Sequence, residues 1–82
     1  MTDEQLLHEY HDVLTDVWKT FKAQILEVSE ADQYWDDVIR AFSDIGRKYN
    51  GTETEAFANR MIVASVQTLE DRYKTMRKAA GI

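Results

Sequence analysis

The stretch YNGTETE, residues 49–55, decides how the chain is divided into helices. Asn50 and Gly51 are residue types that favour the left-handed backbone with which many helices end. Thr52 and Glu55 have the spacing of a capping box, in which two side chains accept hydrogen bonds from backbone N–H groups at a helix start. The stretch therefore predicts the end of one helix and the beginning of the next.

Two further start signals lie upstream of this break. Ser29 is followed three residues later by Asp32, and Thr2 is followed three residues later by Gln5. Proline is absent from the 82 residues, so nothing in the sequence forces a break within a helix. These signals predict three helices, which span residues 3–27, 30–49 and 53–79.

Apolar residues recur every three or four positions in each predicted helix, which is the period of one helix face. Short connections make consecutive helices antiparallel neighbours, so we predict an all-α, up-down-up three-helix bundle that forms a single domain over residues 1–82. Gly46 lies within the second face, where it lowers helix propensity but allows close approach of a neighbouring helix. The predicted core consists of Leu7, Tyr10, Val13, Leu14, Val17, Phe21, Ile25 and Val28, then Ala31, Tyr34, Trp35, Val38, Phe42, Ile45 and Tyr49, then Ala58, Ile62, Val66, Leu69, Tyr73 and Met76.

The three predicted helices differ in length. At about 1.5 Å per residue, the outer two reach roughly 37–40 Å and the middle one only about 30 Å. Part of the first or third helix must then extend beyond its neighbour. Such an overhang can fray, bend or be covered by a second copy of the chain.

Composition excludes several classes of protein. The chain has no cysteine, so disulfides, thiolate metal sites and cysteine-based catalysis are not available to it. Hydrophobic residues make up 44% of the sequence, which is enough to form a folded core. The first residues are acidic and lack the apolar run of a secretory signal, and no segment approaches the roughly 20 apolar residues of a membrane span. We therefore expect a soluble, cytoplasmic protein without a membrane partner.

Charge is distributed unevenly along the chain. Residues 1–37 carry a net charge of −8 and residues 38–82 one of +3, within a total of −5. Acidic residues open each predicted helix and basic residues close it, an order that the helix dipole favours by roughly 0.3–1 kcal/mol per terminal charge. Because the pI is about 4.8, direct nucleic-acid binding is not expected. An acidic surface that mimics DNA for a basic target remains an alternative.

The stretch HEYHD, residues 8–12, places two histidines three residues apart with an acid beside each. His8 and Asp12 are four residues apart, so they share a helix face and could approach one ion together. A tightly held zinc ion needs three or four ligands, and the sequence has no third histidine. A solvated His–Asp pair is the simpler interpretation. We expect no metal, and keep a site formed by His8, His11 and Asp12 as an alternative.

Five apolar residues lie off the predicted core faces and form the candidate interface: Leu26, Phe57, Met61, Val63 and Ala64. Phe57, Met61 and Ala64 form a row about 100° round the third helix from its core face. Each helix of a three-helix bundle contacts two neighbours, so the row could simply pack against the first helix. It could instead be an exposed patch covered by a protein partner, because methionine and aromatic residues are enriched in interfaces.

The sequence shows no arrangement of residues typical of an enzyme. Ser29 and Ser65 lack a nearby His–Asp pair, and no glycine-rich phosphate loop is present. Adjacent acids diverge by about 100° on a helix, so they cannot act as a general acid and base together. We expect neither catalytic residues nor a cofactor.

The main prediction is a small, non-enzymatic helical protein-interaction module whose partner is a second copy of the chain, with a dimer as the favoured oligomer, or another protein. In compactness and texture the chain resembles small reading frames of bacterial or prophage genomes, although no motif matches a named family. The alternatives are a metal-binding helical protein and a regulatory protein linked to nucleic acid, either as a binder or as a DNA mimic.

Overall fold

The computed structural model describes residues 2–81 and confirms the three-helix bundle. The helices are α1 (Asp3–Ile25), α2 (Asp32–Tyr49) and α3 (Glu55–Ala79), and no strand occurs in the described residues. Each helix packs against both of the others. None of the helices between residues 2 and 81 is both long and apolar enough to cross a membrane.

The predicted capping box at the start of α1 is confirmed. The backbone N–H of Gln5 donates to the Thr2 hydroxyl oxygen at 3.1 Å, and the Thr2 N–H donates to Gln5 Oε1 at 2.9 Å. Leu26 is the C-terminal cap residue of the helix, and its N–H donates to the Gln24 carbonyl. Helix α1 therefore ends at Ile25, two residues earlier than predicted.

Helix α2 begins at Asp32 and not at residue 30, because Ser29 does not cap it. The Ser29 hydroxyl oxygen accepts a 2.9 Å hydrogen bond from the Ala31 N–H and so closes a turn within the loop. The carbonyl of Ala31 then accepts from Tyr34 at 3.0 Å, which starts the helical pattern. A serine hydroxyl that bonds two residues ahead stabilises the loop rather than the first turn of the helix.

The predicted capping box of Thr52 and Glu55 is wrong. The Thr52 hydroxyl donates to the Tyr49 carbonyl at 2.7 Å, which closes the end of α2. The Glu55 N–H donates to the backbone carbonyl of Thr52 at 3.2 Å and not to its hydroxyl, so the capping box does not form. Helix α3 begins at Glu55, after a fully buried Thr54. Gly51 adopts a φ of +79°, the left-handed conformation that glycine accepts without strain. The sequence therefore predicts the position of the break between α2 and α3 correctly, but not the hydrogen bonds formed there.

The core is formed by the inward faces of all three helices and by the loop residue Val28. Its fully buried large side chains come from each helix in turn: Val13, Val38, Phe42 and Leu69. Three large side chains of the predicted core are instead exposed, namely Leu7 (70%), Leu14 (49%) and Met76 (40%). Ala31, the residue before α2, is also exposed.

The helices are offset along the bundle axis, which explains two of these exposed residues. The ring of Phe57, in the first turn of α3, packs against Tyr10 of α1, so α3 starts level with the third turn of α1. Leu7 therefore lies in two turns of α1 that extend beyond the α2–α3 loop. At the other end, Trp35 contacts Tyr73, and residues 74–81 of the chain are all exposed, including Met76. The result is a rod with dimensions of 53 × 19 × 17 Å.

Candidate interaction surface

An apolar groove with a volume of about 320 Å³ runs along the surface between α1 and α3. We call it the α1·α3 groove. Its only hydroxyl side chains, Ser65 and Thr68, each donate at 2.7 Å to the backbone carbonyl four residues earlier. These hydroxyls are therefore engaged within their own helix. The groove is lined by Leu14, Val17, Trp18, Phe21, Met61, Ala64, Ser65 and Thr68.

Large side chains line the α1 wall of the groove, whereas the α3 wall is mostly small, with Met61 as its one large side chain. Leu14 and Trp18 of α1 line the groove together with Ala64 and Ser65 of α3, whose short side chains leave space between the helices. Leu14 is consequently 49% exposed and Trp18 58% exposed, although both lie beside residues anchored in the core. Two large apolar side chains are thus held on the surface by a well-packed scaffold.

The structure divides the five candidate interface residues into three groups. Phe57 and Met61 are half-buried and pack against the core, with the Phe57 ring centroid 4.9 Å from that of Tyr10 in an edge-to-face contact. The position of Phe57 is thus explained by ordinary packing between α1 and α3. Met61 also lines the groove, together with the exposed Ala64. Leu26 and Val63 are exposed outside the groove.

Sequence reasoning missed the α1 wall of the groove. It assigned Leu14 to the core and did not include Trp18 among the interface candidates, whereas the structure exposes about half of each side chain. A signal was present, because the two residues are four positions apart and lie within about 40° of each other on a helix. Their exposure depends also on the small residues of α3 that line the same groove. Which residues of two helices lie beside each other cannot be read from the sequence of one helix alone.

His8, His11 and Asp12 lie together on the exposed surface of α1. His8 Nε2 is 3.6 Å from Asp12 Oδ2, and His11 Nδ1 is 4.0 Å from Asp12 Oδ1. The two imidazole rings are nearly parallel, with centroids 6.5 Å apart. Among residues 2–81, no group of three His, Cys, Asp or Glu side chains is arranged so that it could hold a metal ion.

A polar cluster that the sequence did not reveal joins α1 to α2. Asp16 Oδ2 accepts a 2.6 Å hydrogen bond from the Tyr49 hydroxyl and a 2.7 Å hydrogen bond from Lys48 Nζ. Burial raises the pKa of Asp16, but the hydrogen bonds from Lys48 and Tyr49 outweigh it and leave the pKa below its ordinary value. Burial and the hydrogen bond to Asp16 raise the pKa of Tyr49 to about 12. The cluster thus links the last turn of α2 to the middle of α1 through a shared carboxylate.

The chain matches no protein-family model, no curated protein and no solved structure, so these comparisons assign neither a family nor a function. The arrangement of residues within the bundle is what remains as a guide to its activity.

Proposed function

We propose that this protein is a non-enzymatic interaction module that associates with a second copy of itself through the α1·α3 groove. The observation that carries the proposal is the exposure of Leu14 (49%) and Trp18 (58%) side by side on the wall of an apolar groove. Tryptophan is the residue type most enriched at the energetic centres of protein interfaces. Covering it removes apolar surface from water at roughly 25 cal/mol per Å².

The dimensions of the rod support a second copy as the occupant. A stable dimer buries roughly 800 Å² on each partner. The face formed by α1 and α3 is up to 53 Å long, on a rod 17–19 Å across, so its area is sufficient for such an interface. Symmetric dimers are also the most common assemblies of soluble proteins, and a two-fold axis buries the same groove on both chains.

The test is the mass of the protein in solution, measured by light scattering and sedimentation from low micromolar to high micromolar concentration. We expect a dimer for the native sequence and a monomer for Trp18→Glu, because a charge placed at the centre of an apolar interface is left without a partner. Ile39→Glu is the matched control, since Ile39 is 59% exposed on α2 and does not line the groove. It should leave the mass of the dimer unchanged.

Met61→Lys tests the opposite wall of the groove and should also weaken the dimer. Because Met61 packs against the core, its substitution must be accompanied by a melting curve that separates lost association from lost folding. A native protein that stays monomeric over the whole concentration range would refute the proposal. A dimer that tolerates Trp18→Glu would refute the groove as its interface.

A further inference from the structure

The surface of α3 beside the groove carries a row of exposed residues whose charges reverse along the helix. We call Arg60, Ala64, Gln67, Asp71 and Lys78 the outer row. Their spacings of four, three, four and seven residues keep them within about 60° of one another on the helix. All five are exposed, and Ala64 also lines the α1·α3 groove, so the outer row borders it.

Arg60 and Asp71 are placed symmetrically about the groove. They are eleven residues apart, about 16 Å along the helix, and their midpoint falls between Ser65 and Val66. The α3 wall of the groove runs from Met61 to Thr68, so its centre lies at the same level. Neither Arg60 nor Asp71 takes part in an ion pair within residues 2–81.

The ends of α3 repeat this relationship. Glu55 is the first residue of α3 and Glu53 lies two residues before it, whereas Arg77 and Lys78 lie in the last turn. Glu53 and Lys78 have the same midpoint along the chain as Arg60 and Asp71. If two α3 helices are placed antiparallel with their centres at the groove, Arg60 of one copy lies level with Asp71 of the other. Glu53 likewise lies level with Lys78, so acidic residues meet basic ones at two separate levels.

From this charge complementarity we infer that two copies dock antiparallel across the α1·α3 groove, with Arg60 of each copy facing Asp71 of the other. The inference rests on the proposed function and specifies its geometry. A two-fold axis that crosses the helices at the groove brings α3 against α3 of the second copy in the opposite direction. Both copies of Trp18 then meet close to the axis. A parallel arrangement would bring the two acidic ends together and the two basic ends together, which electrostatic repulsion opposes.

Charge reversal tests this pairing. Arg60→Glu places a carboxylate opposite Asp71 of the second copy, and Asp71→Arg places two guanidinium groups opposite each other. Because symmetry repeats each contact, we expect either variant to raise the dissociation constant of the dimer by about ten-fold or more. The double variant Arg60→Glu/Asp71→Arg restores both pairs across the interface and should recover the native dissociation constant.

Arg40→Glu is the matched control. It makes the same change in net charge as Arg60→Glu at an exposed position on α2, so it should leave the dissociation constant unchanged. The three substituted positions are all exposed, and far-UV circular dichroism confirms that each variant keeps its helices. If the double variant associates as weakly as the single ones, the Arg60–Asp71 pairing is wrong.

A distance between spin labels measures whether the two copies dock antiparallel or parallel. The chain has no cysteine, so Leu7→Cys carries a single label on an exposed residue. Leu7 lies eleven residues from Trp18, so antiparallel docking separates the two labels of a dimer by about 33 Å. If the labelled Leu7→Cys protein is a dimer whose labels are closer than about 20 Å, the antiparallel arrangement is wrong and self-association still holds. A native monomer would instead remove the proposed function itself.

Discussion

The Tyr49 hydroxyl lies 2.6 Å from Asp16 Oδ2 and donates a hydrogen bond to it, which joins the end of α2 to the middle of α1. Tyr49 is buried, and the carboxylate it contacts also accepts from Lys48. This contact between residues 33 positions apart ties the two helices together. Because the phenol must stay protonated to donate this hydrogen bond, we expect the stability of the bundle to depend on pH.

We expect the protein to lose stability between pH 10 and pH 12. Folding raises the pKa of Tyr49 from 10.0 to about 12, so the protonated phenol is favoured in the folded state. The resulting stabilisation is complete below pH 10 and disappears as the pH rises through 12, by on the order of 2 kcal/mol. Urea unfolding at pH 9 and pH 12, followed by circular dichroism, measures the loss.

Tyr49→Phe removes the hydroxyl responsible and should lower stability by about 1 kcal/mol at pH 9 while reducing the alkaline loss. Tyr34→Phe is the comparison, because the Tyr34 hydroxyl donates to the Gln24 carbonyl and not to a carboxylate. The loss of stability between pH 10 and pH 12 that arises from the Tyr49–Asp16 hydrogen bond should therefore persist in Tyr34→Phe. An equal loss in Tyr49→Phe and the native protein would contradict this assignment.

Gly46→Ala should stabilise the bundle by roughly 0.5–1 kcal/mol, because alanine favours helix over glycine by about that amount. A Cβ at this position would lie 3.6 Å from Ile62 Cδ1, an ordinary van der Waals distance, so no neighbouring helix has to move. Gly51→Ala is the opposite case. The φ of +79° at Gly51 is strained for alanine, and we expect a loss of stability there. Thermal melting of both variants checks the two signs.

Glu9→Gln should also stabilise the protein, by roughly 0.5–1 kcal/mol. Glu9 Oε2 is buried and has no hydrogen-bond partner within residues 2–81, and burial of an unpaired charged oxygen is unfavourable. Glu53 and Glu55 lie beside the same surface depression, which adds repulsion between like charges. Glutamine keeps the shape and removes the charge. Glu4→Gln, at an exposed position of the same helix, should have no comparable effect in chemical unfolding.

Addition of zinc or nickel should leave the melting temperature unchanged. His8, His11 and Asp12 supply at most three exposed groups on a single helix, with no further ligand arranged around them in the described residues. A tightly held zinc ion requires a more complete set. A rise in melting temperature that His8→Ala abolishes would instead establish the metal-binding alternative.

The sequence was sufficient to predict the three helices but not how they are aligned with one another along the bundle axis. Periodicity identified the inward faces, and the Thr2–Gln5 capping box formed as predicted. The exposure of Leu7 depends on where α3 begins relative to α1, which no local pattern encodes. The exposure of Trp18 depends on the small side chains of another helix, and the Asp16–Tyr49 contact joins distant parts of the chain.

Local hydrogen-bond choices were equally hard to foresee. Thr52 has the spacing of a capping residue, yet its hydroxyl bonds back to Tyr49. Ser29 likewise serves the loop before α2. Neither hydroxyl accepts from a backbone N–H in the first turn of the following helix, and the path of the loop decides which backbone groups come within reach.

The offset of α1 and α3 along the 53 Å rod has a geometric consequence for anything joined to it. Because the two helices run in the same direction, Thr2 and Gly81 emerge at opposite tips. Fluorophores or folded tags fused at these positions would be kept roughly 50 Å apart, whereas an even number of helices would bring them together. The bundle thus acts as a spacer of defined length, and energy transfer between fused fluorophores would report whether that span persists in the proposed dimer.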